Sequence, residues 1–467
     1  MSMTANLAVG GSSARRPNVN MPIKAAASIW PVLPIVVLVY SFLLLAPEVR
    51  FTVAGITLPP YRLVLIPLFL QVFVSLVMGR LRLNWADLLV IAASGSTLVS
   101  FMSHYGNSEG VVRAFGTIID SAGAYFVARS SIRKPNDLRI ALIMLAPGLL
   151  LAGLEMAFES FSKRLIIRPL FQKYFGSSYI YLDGQEVGAL QLRQDFRMGG
   201  LLRAYGTFSH PILGGLVLSS SLLMFFYSSI RGIPKKIGIF ASFLGFFALS
   251  SATIISLALS AAVIGLNELV KRVRNVTWWL VTGALIFVGA FIEIGSKGGL
   301  VNVLIRQTLD PQTGYFRKLI WEYGLISIGK HPWLGIGYEE YERPPAMHSS
   351  SVDAHFLALG IRDGVFVPLA ILAAFIITQV ALGRAIGRIS GPDRKLLLGV
   401  NGSLFGLLVA SMTVTFFSEG MIWFMALIGI GSSLGQLVPD ARPVSALKPS
   451  QLHRPTSAAL QNAEGVR

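Results

Sequence analysis

Three segments of this chain combine arginine, histidine and carboxylate residues that could act on a phosphorylated substrate. They run from Arg203 to Pro211, from Tyr315 to Tyr323 and from His348 to His355. A guanidinium group can bind two phosphate oxygens at once, and a histidine or an aspartate can take a proton from a hydroxyl group. Together these residue types are typical of an enzyme that displaces a diphosphate leaving group.

The first segment joins a long polar stretch to an apolar run that begins at Pro211. Proline suits the first turn of a helix, and the free N–H groups of a helix N-terminus bind anions. We therefore expect Arg203 to hold a diphosphate. The alternative interpretation is an interfacial arginine that bonds lipid phosphate.

The second segment has apolar residues at helical spacing, Phe316, Leu319, Ile320 and Tyr323. This spacing predicts an amphipathic helix that lies on the membrane surface. We expect Arg317 on this helix to be the second cation for the diphosphate. The alternative is that the helix only caps the membrane.

The third segment provides candidates for a general base. Asp353 and His348 are the two candidates in the catalytic set, with Arg203 and Arg317, and His355 is a third possible base. The candidates for substrate binding are Arg203, Arg306, Arg317, His210, His355, Tyr315 and Glu322.

No metal or other cofactor is expected. No two aspartates stand two residues apart, so the Asp-x-Asp pattern that holds a divalent ion on nucleotide sugars is missing, and so is His-Glu-x-x-His. Cysteine is absent, which excludes disulfides and thiolate metal sites. The acidic stretch Glu339–Glu342 could bind a cation weakly or contact sugar hydroxyl groups.

The composition predicts what positions these residues. Hydrophobic residues make up 53% of the 467 residues and charged residues only 13%, which indicates a polytopic membrane protein and excludes a soluble enzyme. The net charge of +17 lies mainly in short connections between apolar runs, a topology signal that argues against nucleic acid as a partner. Twelve membrane helices are predicted, at about 27–46, 61–79, 85–102, 111–128, 138–156, 211–230, 236–250, 251–270, 276–295, 353–383, 396–416 and 421–438.

The fold class expected is therefore all-α, a single transmembrane domain over 25–438 in a lipid bilayer. Disordered cytoplasmic tails are expected at 1–24 and 439–467. Lysine and arginine alternate between connections so that both termini lie inside. This orientation places two long loops, about 157–210 and 295–352, on the periplasmic side.

One acid, Asp120, is predicted to lie well inside a membrane helix. Such a residue indicates either a functional site or a partner arginine, from Arg113 on the same face or from another helix. A transporter that carries ions or flips lipid-linked oligosaccharides is the rival function that Asp120 supports.

Two motifs resemble those of the bacterial O-antigen ligases and Wzy-type repeat-unit polymerases of exopolysaccharide. The first is Arg203 followed by Gly206-Thr207-Phe208-Ser209-His210-Pro211. The second is Arg317, then Trp321, then His331-Pro332-Trp333-Leu334-Gly335-Ile336-Gly337. Ligases of this family show His-Asn, nine residues and Gly-x-x-Gly, where this chain has Asp353-Ala354 and then Gly364-Val365-Phe366-Val367. A Ser-Arg that often opens a middle helix reads Ser251-Ala252 here.

The resemblance implies a GT-C-like, inverting glycosyltransferase of the bacterial inner membrane. Its donor would be a polyprenyl-diphosphate-linked oligosaccharide, undecaprenyl diphosphate being the carrier, and its acceptor a glycan. A flippase and a chain-length regulator would be its working partners. The departures favour a polymerase of surface polysaccharide, and a ligase to lipid A core is the alternative within lipopolysaccharide biosynthesis.

Overall fold

The chain is mostly helical in a computed structural model. It describes residues 29–437 except 54–55, 178, 183–184, 190–191, 193, 273–310, 346 and 348–349. The described helices are α1 Leu33–Leu43, α2 Pro60–Val77, α3 Trp85–Tyr105, α4 Asn107–Ile118, α5 Ala124–Ser131, α6 Pro135–Ser162, α7 Ile167–Phe175, α8 Pro211–Tyr227, α9 Ile233–Leu244, α10 Ser251–Arg272, α11 Pro311–Lys330, α12 His355–Asp363, α13 Phe366–Arg388, α14 Gly391–Ser411 and α15 Ser418–Leu434.

Six helical segments within the described ranges are long and apolar enough to cross a membrane. They are α2, α3, α6, the first 19 residues of α10, α13, and the segment Asn107–Ser131, in which a π-helical turn joins α4 to α5. Three shorter apolar helices, α1, α8 and α15, accompany them. The chain therefore has the helices of a multi-pass membrane protein.

The helices differ from the predicted ones mainly in two places. The run expected at 353–383 is divided into α12 and α13, because Gly364 adopts φ +86° and ends the first helix. Helix α6 continues to Ser162, so the first long loop begins later than 157. The span expected at 276–295 lies outside the described residues.

The expected helical fold is confirmed in its main feature, a mostly helical chain, and three short β-hairpins occur in the connections in addition. Their strands are β1 Phe51–Val53, β2 Ile56–Leu58, β3 Tyr179–Leu182, β4 Gln185–Ala189, β5 Phe196–Arg197 and β6 Leu201–Leu202. The pairs are antiparallel, with Phe51 opposite Leu58 and Phe196 opposite Leu202. Such short, two-stranded pairs lack the long alternating pattern that a sequence reveals.

The main core surrounds α15, and every residue of this helix except Ser418 is buried. A helix that is apolar on every side has to be covered on every side, which explains why α5, α13 and α8 all pack against α15. The helices therefore form one bundle, with connecting segments at both of its ends.

Contacts define the two ends of this bundle. At one end, α1 and α6 terminate and α8 and α15 begin. There Thr207 Oγ1 donates to the carbonyl of Leu43, and Ser209 N donates to Glu419. At the opposite end, which we call the basic end, Arg129 in the last turn of α5 donates to the carbonyl of Arg82, between α2 and α3.

Asp120 lies in the π-helical turn and is bonded by an arginine of another helix. Arg62 Nε donates to Asp120 Oδ1 at 2.9 Å and Arg62 Nη2 to Oδ2 at 2.7 Å. The partner is therefore from α2, and Arg113 instead donates to Glu109 on its own helix. Of the two interpretations, pairing with an arginine from a second helix is confirmed.

Candidate active site

Arg203 is positioned by backbone bonds at the start of the segment before α8. Its N–H donates to the carbonyl of Asp195 at 2.8 Å, and its Nε donates to the carbonyl of Ala248 at 3.2 Å. Its Nη1 lies 3.8 Å from Asp195 Oδ2, longer than a hydrogen bond. The guanidinium group is thus held through its Nε, and 13% of the side-chain surface is exposed.

A buried carboxylate fixes the loop that follows Arg203. Glu159, at the end of α6, is fully buried, and its Oε2 accepts from the N–H groups of Tyr205 at 3.0 Å and Gly206 at 2.9 Å. Its Oε1 accepts from the N–H groups of Ile166 and Ile167, both at 2.9 Å. One carboxylate therefore joins the start of α7 to the Arg203 loop through four charge-assisted bonds.

Two further buried charges hold the same loop. Arg168 and Glu48 form an ion pair with both side chains fully buried, and Arg168 Nη1 also donates to the carbonyl of Phe208 at 2.9 Å. Glu419 Oε1 accepts from both the N–H and the hydroxyl of Ser209 at 2.6 Å. Buried charges need such partners, so the conformation of this loop depends on the Arg168–Glu48 ion pair and on the Glu419 carboxylate.

Sequence reasoning missed these carboxylates and Arg168. The sequence contains only a weak indication of their role. Acids are rare next to apolar runs, where Glu48, Glu159 and Glu419 stand, but their spacing does not predict which loop they bond.

Arg317 approaches from the other long connection. It lies on α11, and its buried Nε finds no hydrogen-bond partner among the described residues. The helix does not simply rest on the membrane: Ile320 packs in a small second core with Leu357 and Ile361 of α12. Packing against α12 therefore brings Arg317 near the residues that precede α12.

The glycine-containing motif His331–Gly337 holds α11 against α12 through backbone hydrogen bonds. Ile336 N donates to the carbonyl of Ile361 at 2.9 Å, and Gly337 N to that of Arg362 at 3.0 Å. A Cβ on Gly335 would come within 2.5 Å of the backbone of Arg362, and φ there is +63°. The motif resembling the ligase family therefore has a positioning role here, joining the end of α11 to the end of α12.

Asp353 lies just before α12. Burial is the main reason that the pKa values of Arg203 and Arg317 are lowered, and the Asp353 carboxylate opposes this lowering at both arginines, so it lies within electrostatic range of each. Asp353 Oδ1 also accepts from Ser351 Oγ at 3.1 Å. The structure thus brings together three of the four residues predicted to be catalytic.

The electrostatics of this cluster favour an anion. Burial and the neighbouring Arg197 lower the pKa of Arg203 to about 10, and the same two causes lower the pKa of Arg317. Lowered arginine pKa values mean that positive charge is incompletely compensated, since an ion pair would raise them. Among the described residues of the cluster, three guanidinium groups face two carboxylates, Asp195 and Asp353.

His210 lies beside the cluster as a neutral ring. Burial, then Arg203 and Arg197, lower the pKa of His210 to about 3. Its Nδ1 accepts from Ile212 N–H at 3.3 Å, so the proton resides on Nε2. His210 therefore caps α8 and leaves one N–H donor, but it adds no positive charge.

The other candidates are not brought into the cluster. His355 is 1% exposed, its Nδ1 accepts from Phe416 N–H at 3.3 Å, and its ring lies 5.0 Å from that of Phe416. Tyr315 and Glu322 are exposed on α11, and no contact within the described ranges joins them to Arg203 or Asp353. Arg306 and His348 lie outside the described residues.

The acidic stretch is partly paired with cations. Glu342 bonds Lys330, and Glu340 Oε2 lies 2.9 Å from Arg343 Nη2. The Lys330 ammonium lowers the pKa of Glu342. No group of three His, Asp or Glu side chains is arranged as metal ligands in the part of the chain that is described. The expectation that no metal is used stays a prediction.

No protein-family model matches this chain, and no curated protein matches it. Its function is therefore inferred from the geometry of the cluster around Arg203, Arg317 and Asp353.

Proposed function

We propose that the protein is a membrane glycosyltransferase that uses a polyprenyl-diphosphate-linked glycan as donor and polymerises repeat units of a surface polysaccharide. The proposal rests on one arrangement: Arg203 and Arg317 come from separate connections, and the carboxylate of Asp353 lies within electrostatic range of both. Two partly buried arginines with incompletely compensated charge suit a diphosphate, and a carboxylate between them suits a base.

The proposed reaction is a single displacement. The oxygen of an acceptor sugar hydroxyl attacks the anomeric carbon of the donor, and the bond between that carbon and the diphosphate oxygen breaks. The electron pair of the broken bond stays on the diphosphate, where Arg203 and Arg317 stabilise it. The hydroxyl proton passes to Asp353, or to His348, and the anomeric configuration inverts.

His210 fits this scheme as a hydrogen-bond donor. Its neutral ring holds a proton on Nε2, and it lies close enough to Arg203 and Arg197 to respond to their charge. A neutral donor can bond a phosphate oxygen without repelling the arginines.

The membrane setting of the proposal follows from loop charge. Twelve spans with a GT-C-like arrangement and both termini inside would place the cluster at the outer leaflet of the bacterial inner membrane. A flippase would deliver the donor to that leaflet, and a chain-length regulator would act on the growing product.

The choice of polymerase over ligase follows from the residue at the base position. Ligases of the resembling family have histidine in the frame that Asp353 occupies here. The transporter alternative was supported by Asp120, and Asp120 bonds Arg62 bidentately, which accounts for that charge without transport.

Lipid-linked intermediates in cells that lack the gene test the proposal. Accumulated single repeat units on the carrier lipid would indicate a polymerase, and accumulated lipid-linked polymer would indicate a ligase. An unchanged lipid pool would contradict both.

A purified enzyme assay isolates the chemistry. With donor and acceptor supplied, Asp353→Asn should lose most product if Asp353 is the base, whereas His348→Ala should do so if the histidine is. Arg343→Lys is the control, because Arg343 shares the second long connection but pairs with Glu340. Product that persists undiminished in a strong chelator is expected; loss that magnesium or manganese restores would contradict the metal-independent mechanism.

A further inference from the structure

The basic end of the bundle contains a cavity that the proposed reaction does not use. Its volume is about 240 Å³, and it lies between the α2–α3 connection, the end of α5 and the end of α15. Four arginines line it, Arg80, Arg82, Arg129 and Arg133, and none of the described residues in its lining is an acid. We call it the basic pocket.

Arg129 is built into the wall of this pocket. It is 3% exposed, its Nε donates to Asp87 Oδ1 at 2.5 Å, and its Nη2 donates to Asp87 Oδ2 at 2.7 Å. Tyr125 and the carbonyl of Arg82 complete this network. The Asp87 carboxylate neutralises Arg129, which leaves the charges of Arg80, Arg82 and Arg133 for a ligand.

A second, larger cavity adjoins the basic pocket and shares Arg133 with it. Its volume is about 480 Å³, and it runs between α1 and α2. One wall is apolar, with Trp30, Pro34, Leu68 and Val72. We call it the apolar groove.

The polar wall of the apolar groove adds Lys134 and one acid, Asp137. Asp137 Oδ2 accepts from the backbone N–H groups of Arg133 and Lys134, so the acid is occupied as the cap of α6. The charge that faces the two cavities is therefore positive.

We infer that the basic pocket and the apolar groove together bind one anionic phospholipid, with the phosphate among the arginines and an acyl chain along α1 and α2. A free anion would need only the pocket, whereas the adjoining apolar wall fits a hydrocarbon chain. The exposed Trp30 and Trp85 at this end, 75% and 74% exposed, are typical of the membrane interface, where phospholipid headgroups lie. Basic pockets between membrane helices bind such headgroups.

The test uses the purified full chain in a neutral detergent. Native mass spectrometry would measure occupancy by phosphatidylglycerol and by phosphatidylcholine with the same acyl chains. Each cationic side chain near an anionic headgroup favours binding about fivefold, so three arginines predict a preference of about a hundredfold for phosphatidylglycerol.

Two triple variants separate this site from general surface charge. Arg80→Gln, Arg82→Gln and Arg133→Gln together should abolish the preference. The control triple, Arg231→Gln, Lys235→Gln and Lys236→Gln, removes three charges from the α8–α9 connection and the first turn of α9, outside both cavities, and should keep it. Equal loss in both triples, or no preference in the unmodified chain, would overturn the proposal.

Two soluble probes identify the source of the phosphate. Inorganic phosphate and glycerophosphoglycerol, the headgroup without acyl chains, should compete at least a hundredfold less well than phosphatidylglycerol. Comparable competition by either probe would mean that the pocket binds a free anion, and the lipid assignment would be wrong.

Discussion

Replacing Glu159 with glutamine tests how the candidate site is held in place. The carboxylate accepts four backbone N–H bonds, from Ile166, Ile167, Tyr205 and Gly206, at 2.9–3.0 Å. In glutamine one oxygen remains an acceptor and the other becomes an NH₂ group. Two of the four N–H donors would then face another donor.

The expected cost follows from those two donors. A buried donor without a partner costs about 1–3 kcal/mol, so Glu159→Gln should lower the free energy of unfolding by about 2–6 kcal/mol. Because folded proteins are stable by only about 5–15 kcal/mol, the variant should unfold at a clearly lower temperature. It should also form less polymer, because Tyr205 and Gly206 follow Arg203 directly in the loop.

Glu155→Gln is the matched control on the same helix. Glu155 lies one turn before Glu159, and its buried Oε2 has no hydrogen-bond partner among the described residues. Neutralising it removes a like charge near Glu159 without removing a hydrogen bond of Oε2 to the described residues, so stability should be unchanged or higher. Thermal unfolding of both purified variants is the measurement. If Glu159→Gln is as stable as the unmodified chain, or if both variants lose the same stability, Glu159 does not hold the Arg203 loop in place.

Three further predictions concern the arginines, histidine titration and topology. Arg203→Lys and Arg317→Lys should each reduce the rate of polymer formation about a hundredfold or more at normal protein abundance, since a lost transition-state donor is worth roughly 3–4 kcal/mol; near-normal rates would mean that both only hold lipid headgroups. The pKa of His210 is about 3 in the folded chain and 6.5 unfolded, so its contribution to stability is present above pH 6.5 and lost as the pH falls toward 3. His210→Asn keeps a cap for α8, and from pH 6.5 to 5 its unfolding temperature should fall less steeply than in the unmodified chain, by the equivalent of at most about 2 kcal/mol; parallel pH curves would contradict the shift. A reporter fused after Gly337 should be extracytoplasmic and one after Arg388 cytoplasmic, and the reverse at either site would refute the orientation.

The sequence determined the membrane class and most of the helices. Runs such as Pro135–Ser162 are apolar over more than the thickness of a bilayer, and that property depends on composition alone. The sequence also predicted Arg203, Arg317 and Asp353 as one set, through motif resemblance and residue chemistry. It did not predict the β-hairpins, which depend on short pairs of strands.

The tertiary structure decided which charges are paired within the fold and which are grouped at the proposed site. From sequence, Asp353 was a catalytic candidate, His355 a further possible base, and Asp120 the residue that supported a transporter. Folding places Asp120 against Arg62 and encloses His355 among aromatic rings, while Asp353 lies before α12 within range of two arginines. The reason is physical: the behaviour of a charge depends on its solvation and its neighbours, and those neighbours come from helices that are distant in sequence.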